Sequence, residues 1–323
     1  MKIALTGATG FVGSHLVEFL LEENLPPTCL IRQTSNLRWL PAEKLEFVTG
    51  DLNAPESLRP FVESADWVFH LAGLTKGRNE KEYFLANYEG TVQLVRAIEK
   101  YNSTLNRLIF VSSQAAAGPS PDGTPLKETD PPRPLSAYGR SKLKAEIFLR
   151  QTDLPVTIVR PPAVYGPRDR DVYAAFKMVA KGILPVLGKN KILSLVYVKN
   201  LVHALLLAAR TETALGETYF VSDGPPVSWE EVTDLIAQAL DKHPLKIPIP
   251  EWSLVIPAEI SGLLGRILNR PMLLNREKIL EIKQHYWTVD ISKAEKELRY
   301  KPKWNTEQGV RETARWYREE GWL

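Results

Sequence analysis

The stretch that decides the fold is Thr6-Gly7-Ala8-Thr9-Gly10-Phe11-Val12-Gly13, which follows an apolar run at 3–5 and opens an amphipathic segment at 12–22. A strand, a glycine-rich turn and a helix in this order are typical of a dinucleotide site. One glycine permits the tight turn, a second lets the backbone approach a pyrophosphate, and a third lets the helix pack on the strand. The helix N-terminus adds unpaired N–H groups and the positive end of its dipole. The alternative, an ordinary glycine turn, is disfavoured by the strand and helix around the motif.

The end of the second strand indicates which dinucleotide is bound. An acidic residue about twenty residues after the glycine turn would bind the ribose 2′-hydroxyl of NAD. This sequence instead has Arg32, followed by Ser35 and Arg38. A guanidinium matches the geometry and charge of a 2′-phosphate, so the sequence predicts NADP in preference to NAD. The alternative is that both arginines are solvated surface charges.

The rest of the first half alternates short β-rich runs with longer amphipathic ones, which predicts an α/β protein with a doubly wound parallel sheet covered on both faces. The second half predicts a helix at 198–210 and a strand at 218–221, and from Pro225 onward mostly helices and turns. We expect a dinucleotide-binding domain at 1–165, to which 191–222 return, and a smaller, mostly helical substrate domain formed by 166–190 and 223–323. The first-half strands are expected at 3–5, 28–31, 45–48, 67–70, 108–111 and 157–159, and the helices at 12–22, 83–100 and 138–151.

Composition narrows the class of protein further. The 323 residues carry 41 Lys plus Arg against 38 Asp plus Glu, with no basic run that would mark a nucleic-acid binder. Cys29 is the single cysteine and the five histidines lack ligand spacing, so neither a disulfide nor a metal site is expected. The start of the chain does not resemble a signal peptide, and the apolar stretch 254–268 is too short and too charged to span a bilayer. We expect a cytoplasmic protein.

The segment Tyr138-Gly139-Arg140-Ser141-Lys142 carries the candidate chemistry. Tyr138 and Lys142 are four residues apart and so share one helix face. A nearby ammonium is expected to lower the pKa of the tyrosine towards that of a useful acid/base, while Ser113, at the end of the fifth strand, orients the substrate oxygen. The same spacing occurs at Tyr173 and Lys177, but that pair lies beyond the predicted sheet and we do not expect it to be catalytic.

These motifs, taken in order, resemble those of the extended short-chain dehydrogenase/reductases, which include nucleotide-sugar epimerases and dehydratases. The resemblance covers nearly the whole chain and implies a Rossmann-type fold. It rests on TGATGFVG at 6–13, GDL at 50–52, HLAG at 70–73, NYEGT at 87–91, SS at 112–113, YGRSK at 138–142, RPPAVYGP at 160–167, YVKNLVHA at 197–204 and DISKAEKELRYKP at 290–302.

The resemblance also implies roles for single residues. The implied catalytic set is Ser113, Tyr138, Lys142 and Asn87. The cofactor-binding set, from the resemblance and the reasoning above, is Gly7, Thr9, Gly10, Phe11, Val12, Gly13, Arg32, Ser35, Arg38, Asp51, Leu52, Leu71, Ala72, Gly73, Ser112, Tyr138, Lys142, Pro161, Ala163 and Val164. For Asn87 the alternative is a helix N-cap and for Asp51 a turn residue. Gln114 and Tyr165 are candidate substrate contacts, although side-chain packing explains them nearly as well.

Three functions remain open at the level of sequence. One is reversible hydride transfer between NADP(H) and a secondary alcohol or ketone; another is epimerisation or dehydration of a nucleotide-linked sugar by tightly bound NAD. Nucleotide-sugar members resemble one another in an arginine that pairs with the diphosphate, which this chain lacks before Val196. Lys199-Asn200 is more similar to the hydroxysteroid dehydrogenase and dihydroflavonol reductase branch, although Lys189 or Lys191 is available to a diphosphate. A regulator without turnover is the third reading, disfavoured because Tyr138 and Lys142 are both present.

Two further expectations concern surfaces. Residues 254–268 fit an amphipathic helix that either walls an apolar substrate pocket or packs in the core, with a membrane-surface helix as a third option. The family resemblance implies a homodimer that pairs through 83–100 and 138–151. His70, at a strand end beside the cofactor turn, is interpreted as structural.

Overall fold

The computed structural model describes residues 1–187, 191–249 and 276–323, and a seven-stranded parallel sheet forms its centre. The strand order is β11-β6-β5-β4-β1-β2-β3, a Rossmann-like arrangement in which the order reverses beside β1. The sheet strands are β1 (Ile3–Thr6), β2 (Pro27–Ile31), β3 (Glu46–Thr49), β4 (Trp67–His70), β5 (Arg107–Val111), β6 (Val156–Arg160) and β11 (Thr218–Phe220).

Helices cover both faces of this sheet because its strands are apolar on both sides. The main helices are α1 (Phe11–Glu22), α2 (Arg59–Val62), α3 (Glu80–Tyr83), α4 (Gly90–Tyr101), α5 (Gln114–Ala117), α6 (Ala137–Leu149), α7 (Tyr173–Ala180), α8 (Val198–Arg210), α9 (Trp229–Leu240), α10 (Arg276–Lys283), α11 (Ser292–Glu297) and α12 (Thr306–Glu319). Helices α1 and α8 share one apolar cluster with the sheet, and α2, α4 and α6 share a second. A third cluster joins α7, α9 and α12.

Small sheets complete the described part of the chain. Their strands are β7 (Ala163–Tyr165), β8 (Ile183–Leu187), β9 (Ile192–Leu193), β10 (Leu195–Tyr197), β12 (Val227–Ser228), β13 (Leu245–Ile249) and β14 (Tyr286–Trp287). β7 pairs with β10, β8 with β13, and β9 with both β12 and β14. No helix within these described ranges is long and apolar enough to cross a bilayer.

The doubly wound sheet was predicted, and each of its seven strands lies within two residues of the expected limits. The helix predicted at 83–100 is present within a continuous helical run from Glu80 to Tyr101, in which a π-helical turn at Phe84–Glu89 joins α3 to α4. The described residues after Pro225 are mostly helices and turns, as predicted, and they also contain three short strands. The two-domain division stays a prediction, and residues 254–268 lie outside the described residues.

Candidate active site

The glycine turn between β1 and α1 has the close contacts that its three glycines predict. Gly7 has φ +79°, and a Cβ there would lie 2.7 Å from the Ala72 nitrogen. A Cβ on Gly13 would lie 2.0 Å from the Gly7 carbonyl oxygen, so only glycine lets α1 pack against the turn. Gly10 is exposed at the N-cap of α1 and donates its N–H to the Gly7 carbonyl at 3.0 Å. The turn therefore presents a helix N-terminus to an anion.

The other predicted cofactor residues of this turn are arranged around the helix start. Thr9 is half-buried. Phe11 meets the His15 ring edge-on at 5.8 Å, and Val12 packs against the apolar clusters beneath. Phe11 and Val12 thus fix α1 through their side chains, which leaves their backbone N–H groups as the candidate ligand contacts.

The residues after β2 divide into two groups. Arg32 and Ser35 form one turn, in which the Arg32 N–H donates to the Ser35 hydroxyl at 2.9 Å. The exposed Arg32 guanidinium has no hydrogen-bond or ion-pair partner in the described part of the chain. Arg38 instead pairs with Glu320 at 3.3 Å and lies 4.3 Å from the Trp39 ring centroid. Of the two arginines, therefore, only Arg32 is without a charged partner in the described part of the chain.

Asp51 and Leu52 follow β3. The Asp51 carboxylate accepts hydrogen bonds from the N–H and the side-chain amide of Asn53, at 2.8 and 2.9 Å. This is the turn role that the sequence left as an alternative, and the adenine role stays a prediction. The Leu52 side chain packs in the second cluster, 3.4 Å from where a Cβ on Gly90 would lie.

Tyr138, Lys142 and Ser113 lie together at the carboxyl edge of the sheet. α6 begins at Ala137, capped by Ser136, so Tyr138 is in its first turn. Ser113 lies close enough to Tyr138 to influence the pKa of its phenol, and the Ser113 hydroxyl accepts the Ala115 N–H at 3.1 Å. Lys142 is buried and its ammonium donates to the Val111 carbonyl at 2.8 Å.

The pKa shifts at this centre differ from the expectation. Burial raises the pKa of Tyr138 to about 12; the nearby Ser113 hydroxyl opposes the rise, and the charge of Glu281 adds to it. Burial also lowers the pKa of Lys142 to about 8 against the opposing charge of Glu146. The lowering expected from Lys142 is therefore not found in this structure, because desolvation dominates the pKa of Tyr138 and Lys142 is not among the groups that shift it. Tyr138 is held protonated at neutral pH.

Asn87 lies inside the π-helical turn and not at a helix start, so the N-cap alternative is excluded. It is 1% exposed. Its side-chain oxygen accepts the Leu74 N–H at 2.7 Å, and its amide donates to the Leu74 carbonyl and to Ser141. A Cβ on the exposed Gly73 would lie 2.9 Å from the Asn87 oxygen and 3.4 Å from the Lys142 ammonium. The bare Gly73 backbone thus leaves room beside both side chains.

The remaining predicted cofactor residues border this region. Leu71 and Ala72 form the turn after β4, where the Ala72 N–H donates to the Thr6 hydroxyl at 3.1 Å. After β6, Pro161 is buried, Val164 half-buried and Ala163 exposed, and the Pro161 carbonyl accepts the Gln114 N–H at 2.8 Å.

Ser112 faces inward, where sequence reasoning did not anticipate its partners. Its hydroxyl donates to the Glu146 carboxylate, which also binds the Arg160 guanidinium at 2.6 Å. The Glu146 and Arg160 side chains are 1% and 4% exposed. This buried ion pair joins α6 to β6 one helix turn after Lys142, and no local spacing in the sequence indicated it.

The two candidate substrate contacts differ. Gln114 is 3% exposed, and its side-chain nitrogen has no partner in the described residues, so a donor adjacent to Ser113 remains available. Tyr165 is 1% exposed, and its hydroxyl donates to Asp223 at 2.8 Å. The packing alternative therefore applies to Tyr165.

One of the two lysines weighed for diphosphate binding, Lys191, is engaged within the chain. Lys191 donates to the backbone carbonyls of Ile282 and Gln284, at 2.5 and 3.4 Å, which holds the end of α10. Lys199 pairs with Glu312 at 2.8 Å. Lys189 lies outside the described residues.

Asn200 is fully buried, donates to Asp223 and to the Trp304 carbonyl, and accepts two backbone N–H groups. These internal hydrogen bonds explain why an asparagine stands at this position, so the residue gives little information about the substrate.

Helix α10 brings acidic side chains to the catalytic helix. Glu277 accepts the Ala137 N–H at 2.9 Å and pairs with Arg140 at 3.1 Å. Glu281, one turn later, is the carboxylate whose charge raises the pKa of Tyr138. The negative charge of Glu281 is unfavourable for an anionic substrate group near Tyr138, whereas that of Glu277 is balanced by Arg140.

Residues 3–222 match the model of the NAD dependent epimerase/dehydratase family, so the chain belongs to that family. It is 30% identical to a ceramide reductase of Caulobacter vibrioides, covering 99% of this chain and 96% of that protein. It is 32% identical to a UDP-glucose 4-epimerase of Vibrio cholerae, covering 97% and 94%. A crystal structure of a Thermus thermophilus UDP-glucose 4-epimerase complex with NAD superposes with a TM-score of 0.79 at 25% identity, covering 98% and 99%.

Proposed function

We propose that this protein is an NADP-dependent oxidoreductase that transfers hydride reversibly at a secondary alcohol or ketone, with Tyr138 as the acid/base. The observation that carries the proposal is the placement of Tyr138, Ser113 and the buried Lys142 together at the carboxyl edge of the sheet. Family members include dehydrogenases as well as epimerases and dehydratases, and the likeness to a ceramide reductase supports the reductase reading.

The geometry of the glycine turn and of Gly73 fits a dinucleotide. Only glycine fits at Gly7 and Gly13, and the exposed start of α1 offers N–H groups to a pyrophosphate. Because Gly73 has no side chain, the space beside Asn87 and Lys142 stays open. A ribose in this space would contact the Lys142 ammonium. When bound, the cofactor supplies the hydride for the carbonyl carbon.

The residues of the chain then act on the substrate oxygen. Ser113 orients the carbonyl oxygen by a hydrogen bond, and Tyr138 gives its proton to that oxygen as the hydride arrives at carbon, which yields a secondary alcohol. The raised pKa of Tyr138, about 12, keeps that proton in place at neutral pH. The reverse sequence oxidises the alcohol.

Charge favours this reading over a nucleotide sugar. Lys191 and Lys199 are bound to other parts of the chain, and α10 places Glu277 at the catalytic helix and the charge of Glu281 near Tyr138. The charge of Glu281 is unfavourable for a diphosphate placed close to Tyr138. Epimerisation with tightly bound NAD remains the second candidate, because a UDP-glucose 4-epimerase is 32% identical over most of both chains.

One experiment separates these candidates. The purified protein is denatured and the released ligands are identified, and the native protein is then offered ketones and nucleotide sugars. Exchangeable NADPH with net ketone reduction supports the proposal. Stoichiometric NAD with sugar epimerisation supports the second candidate, and cofactor binding with no turnover of either class would indicate a regulator.

The NADP preference is tested at Arg32. Because its guanidinium is exposed and unpaired in the described structure, we propose that it meets the 2′-phosphate. Arg32→Asp should weaken NADPH binding by about tenfold to a hundredfold, the value of one charge-assisted hydrogen bond, and leave NADH binding nearly unchanged. Arg38→Ala is the matched control, since Arg38 is engaged by Glu320. An unchanged NADPH-to-NADH ratio in Arg32→Asp contradicts the assignment.

We also propose a homodimer through the helices 84–101 and 137–149. Leu85 and Ile147 are 48% and 50% exposed on these two adjacent elements, which is unfavourable for apolar side chains in water. Sedimentation of a Leu85→Asp/Ile147→Asp variant should give a monomer, and Leu245→Asp, at an exposed position on β13, should leave the dimer intact. A monomeric wild-type protein would refute this interface.

A further inference from the structure

A chain of buried hydrogen bonds begins at the end of β1 and includes neither the Tyr138 nor the Lys142 side chain. The Thr6 hydroxyl lies 2.7 Å from His70 Nδ1, and His70 Nε2 lies 3.0 Å from the Thr91 hydroxyl. Thr91 donates to the Asn87 carbonyl at 2.7 Å. His70 and Thr91 are each 1% exposed, and Thr6 is fully buried.

The chain continues from Asn87 to the catalytic helix. The Asn87 amide donates to the Ser141 hydroxyl at 2.9 Å, and Ser141 donates to the backbone carbonyl of Tyr138 at 2.7 Å. Six residues on β1, β4, α4, the π-helical turn and α6 thereby connect the strand end before Gly7 with the backbone of Tyr138.

The direction of each bond follows from its hydroxyl protons. Thr91 has one hydroxyl proton and gives it to the Asn87 carbonyl, so it accepts from His70 Nε2–H. His70 is neutral, since burial lowers its pKa to about 3, and its Nδ1 therefore accepts the Thr6 proton. The Thr6 hydroxyl oxygen also accepts a hydrogen bond from the Ala72 N–H. Only one tautomer of His70 satisfies every group.

We propose that His70 is a positioning residue that couples the glycine turn to the Tyr138 backbone through Thr91, Asn87 and Ser141. The predicted effect on turnover rests on the proposed catalytic role of Tyr138. The predicted tautomer of His70 is independent of that role. Because every member of the chain is buried and paired, loss of one link leaves the others unsatisfied and free to shift. A small displacement of a proton donor lowers the rate more than it lowers binding.

The tautomer is tested without any substrate, by ¹⁵N NMR of the histidine-labelled full chain from pH 5 to 8. The proposal requires a His70 signal that is protonated at Nε2 and bare at Nδ1 throughout this range. A His70 that titrates in the range, or that is protonated at Nδ1, overturns it. The NMR result tests the His70 tautomer even if the proposed function is wrong.

Coupling is tested in the kinetics of ketone reduction with saturating NADPH. Thr91→Val keeps the volume of Thr91 and removes its hydroxyl, so kcat should fall about tenfold while the substrate KM stays within about twofold. Thr91→Ser should restore most of kcat. His203→Phe, which removes an imidazole that packs between Phe19 and Tyr300, is the control and should leave kcat unchanged.

A double-mutant cycle separates positioning from mere structural support. Thr91→Val and Ser141→Ala interrupt the same chain, so the combined loss of kcat should be clearly less than the product of the two single losses. Multiplicative effects, or a Thr91→Val enzyme with a lower melting temperature but the kcat of the wild type, overturn the proposal.

Discussion

Two helices of this protein carry a tyrosine and a lysine at the same four-residue spacing, and their surroundings differ in every respect that matters for catalysis. On α6, Tyr138 lies beside Ser113 and Lys142 is 4% exposed. On α7, the Tyr173 hydroxyl donates to the Trp322 carbonyl, and Lys177 is exposed with its ammonium 5.9 Å from the Tyr173 ring.

The comparison shows that the spacing places two side chains on one helix face but does not give them a function. α6 begins at the carboxyl edge of the sheet beside Ser113, Gly73 and Asn87. α7 packs in an aromatic cluster, where the Tyr173 ring lies 5.1 Å from that of Tyr317. Neighbours supplied by other elements determine which pair can transfer a proton.

The largest difference should appear when each tyrosine loses its hydroxyl. Tyr138→Phe should lower kcat for ketone reduction by about 10²–10⁴-fold, since it removes the general acid, and Tyr173→Phe should leave kcat within about twofold. NADPH oxidation measures both, with NADPH binding as the control for folding. Undiminished turnover in Tyr138→Phe with intact cofactor binding would contradict the assignment.

The lysines should differ next. Lys142→Met removes a buried ammonium beside the acid and should reduce kcat/KM by about tenfold to a hundredfold. Lys177→Met removes an exposed charge and should have no measurable effect. Both variants are measured with one ketone at one pH. Equal losses of kcat/KM would show that the position of the lysine beside Tyr138 does not matter.

The pH dependence of NADPH binding sharpens the same contrast. Because the pKa of Lys142 is lowered to about 8, the free protein loses this charge as the pH rises through 8, and the dissociation constant for NADPH should rise about tenfold between pH 7 and pH 9. The rise should vanish in Lys142→Met and persist in Lys177→Met. Fluorescence titration measures it, and a flat profile in the wild type would contradict the role of Lys142.

The smallest effect is on the free energy of unfolding. Here we expect Tyr173→Phe to have the larger effect and Tyr138→Phe the smaller one, the reverse of their effects on kcat. Tyr173→Phe leaves the Trp322 carbonyl without its donor and should lower the free energy of unfolding by about 1 kcal/mol. Tyr138→Phe should cost less, because the Ser113 hydroxyl still accepts the Ala115 N–H. Urea unfolding of both variants measures the difference, and a larger cost at Tyr138 would argue for a mainly structural tyrosine.

Local patterns predicted much of this molecule. The glycine turn, the Tyr138–Lys142 pair and the sheet strands each depend on residues a few positions apart, where spacing alone determines which groups are neighbours. The π-helical turn that buries Asn87 was missed, because its bonds to Leu74 and Ser141 come from other elements.

Contacts between distant segments had no such signal. Glu277 binds the Ala137 N–H across 140 residues, and Lys191 holds the end of α10 across 91. Arg38 was expected at the cofactor but pairs with Glu320. Each of these charged residues has several possible partners in the sequence, and only the fold selects among them.

The most direct test of the account is the stoichiometry of turnover. The wild-type protein is mixed with NADPH and a ketone that it accepts, and NADPH loss and alcohol formation are measured in the same sample. The account predicts one NADPH consumed for each secondary alcohol formed. An isomerised nucleotide sugar formed with no net loss of cofactor, and no alcohol from any ketone, would contradict it.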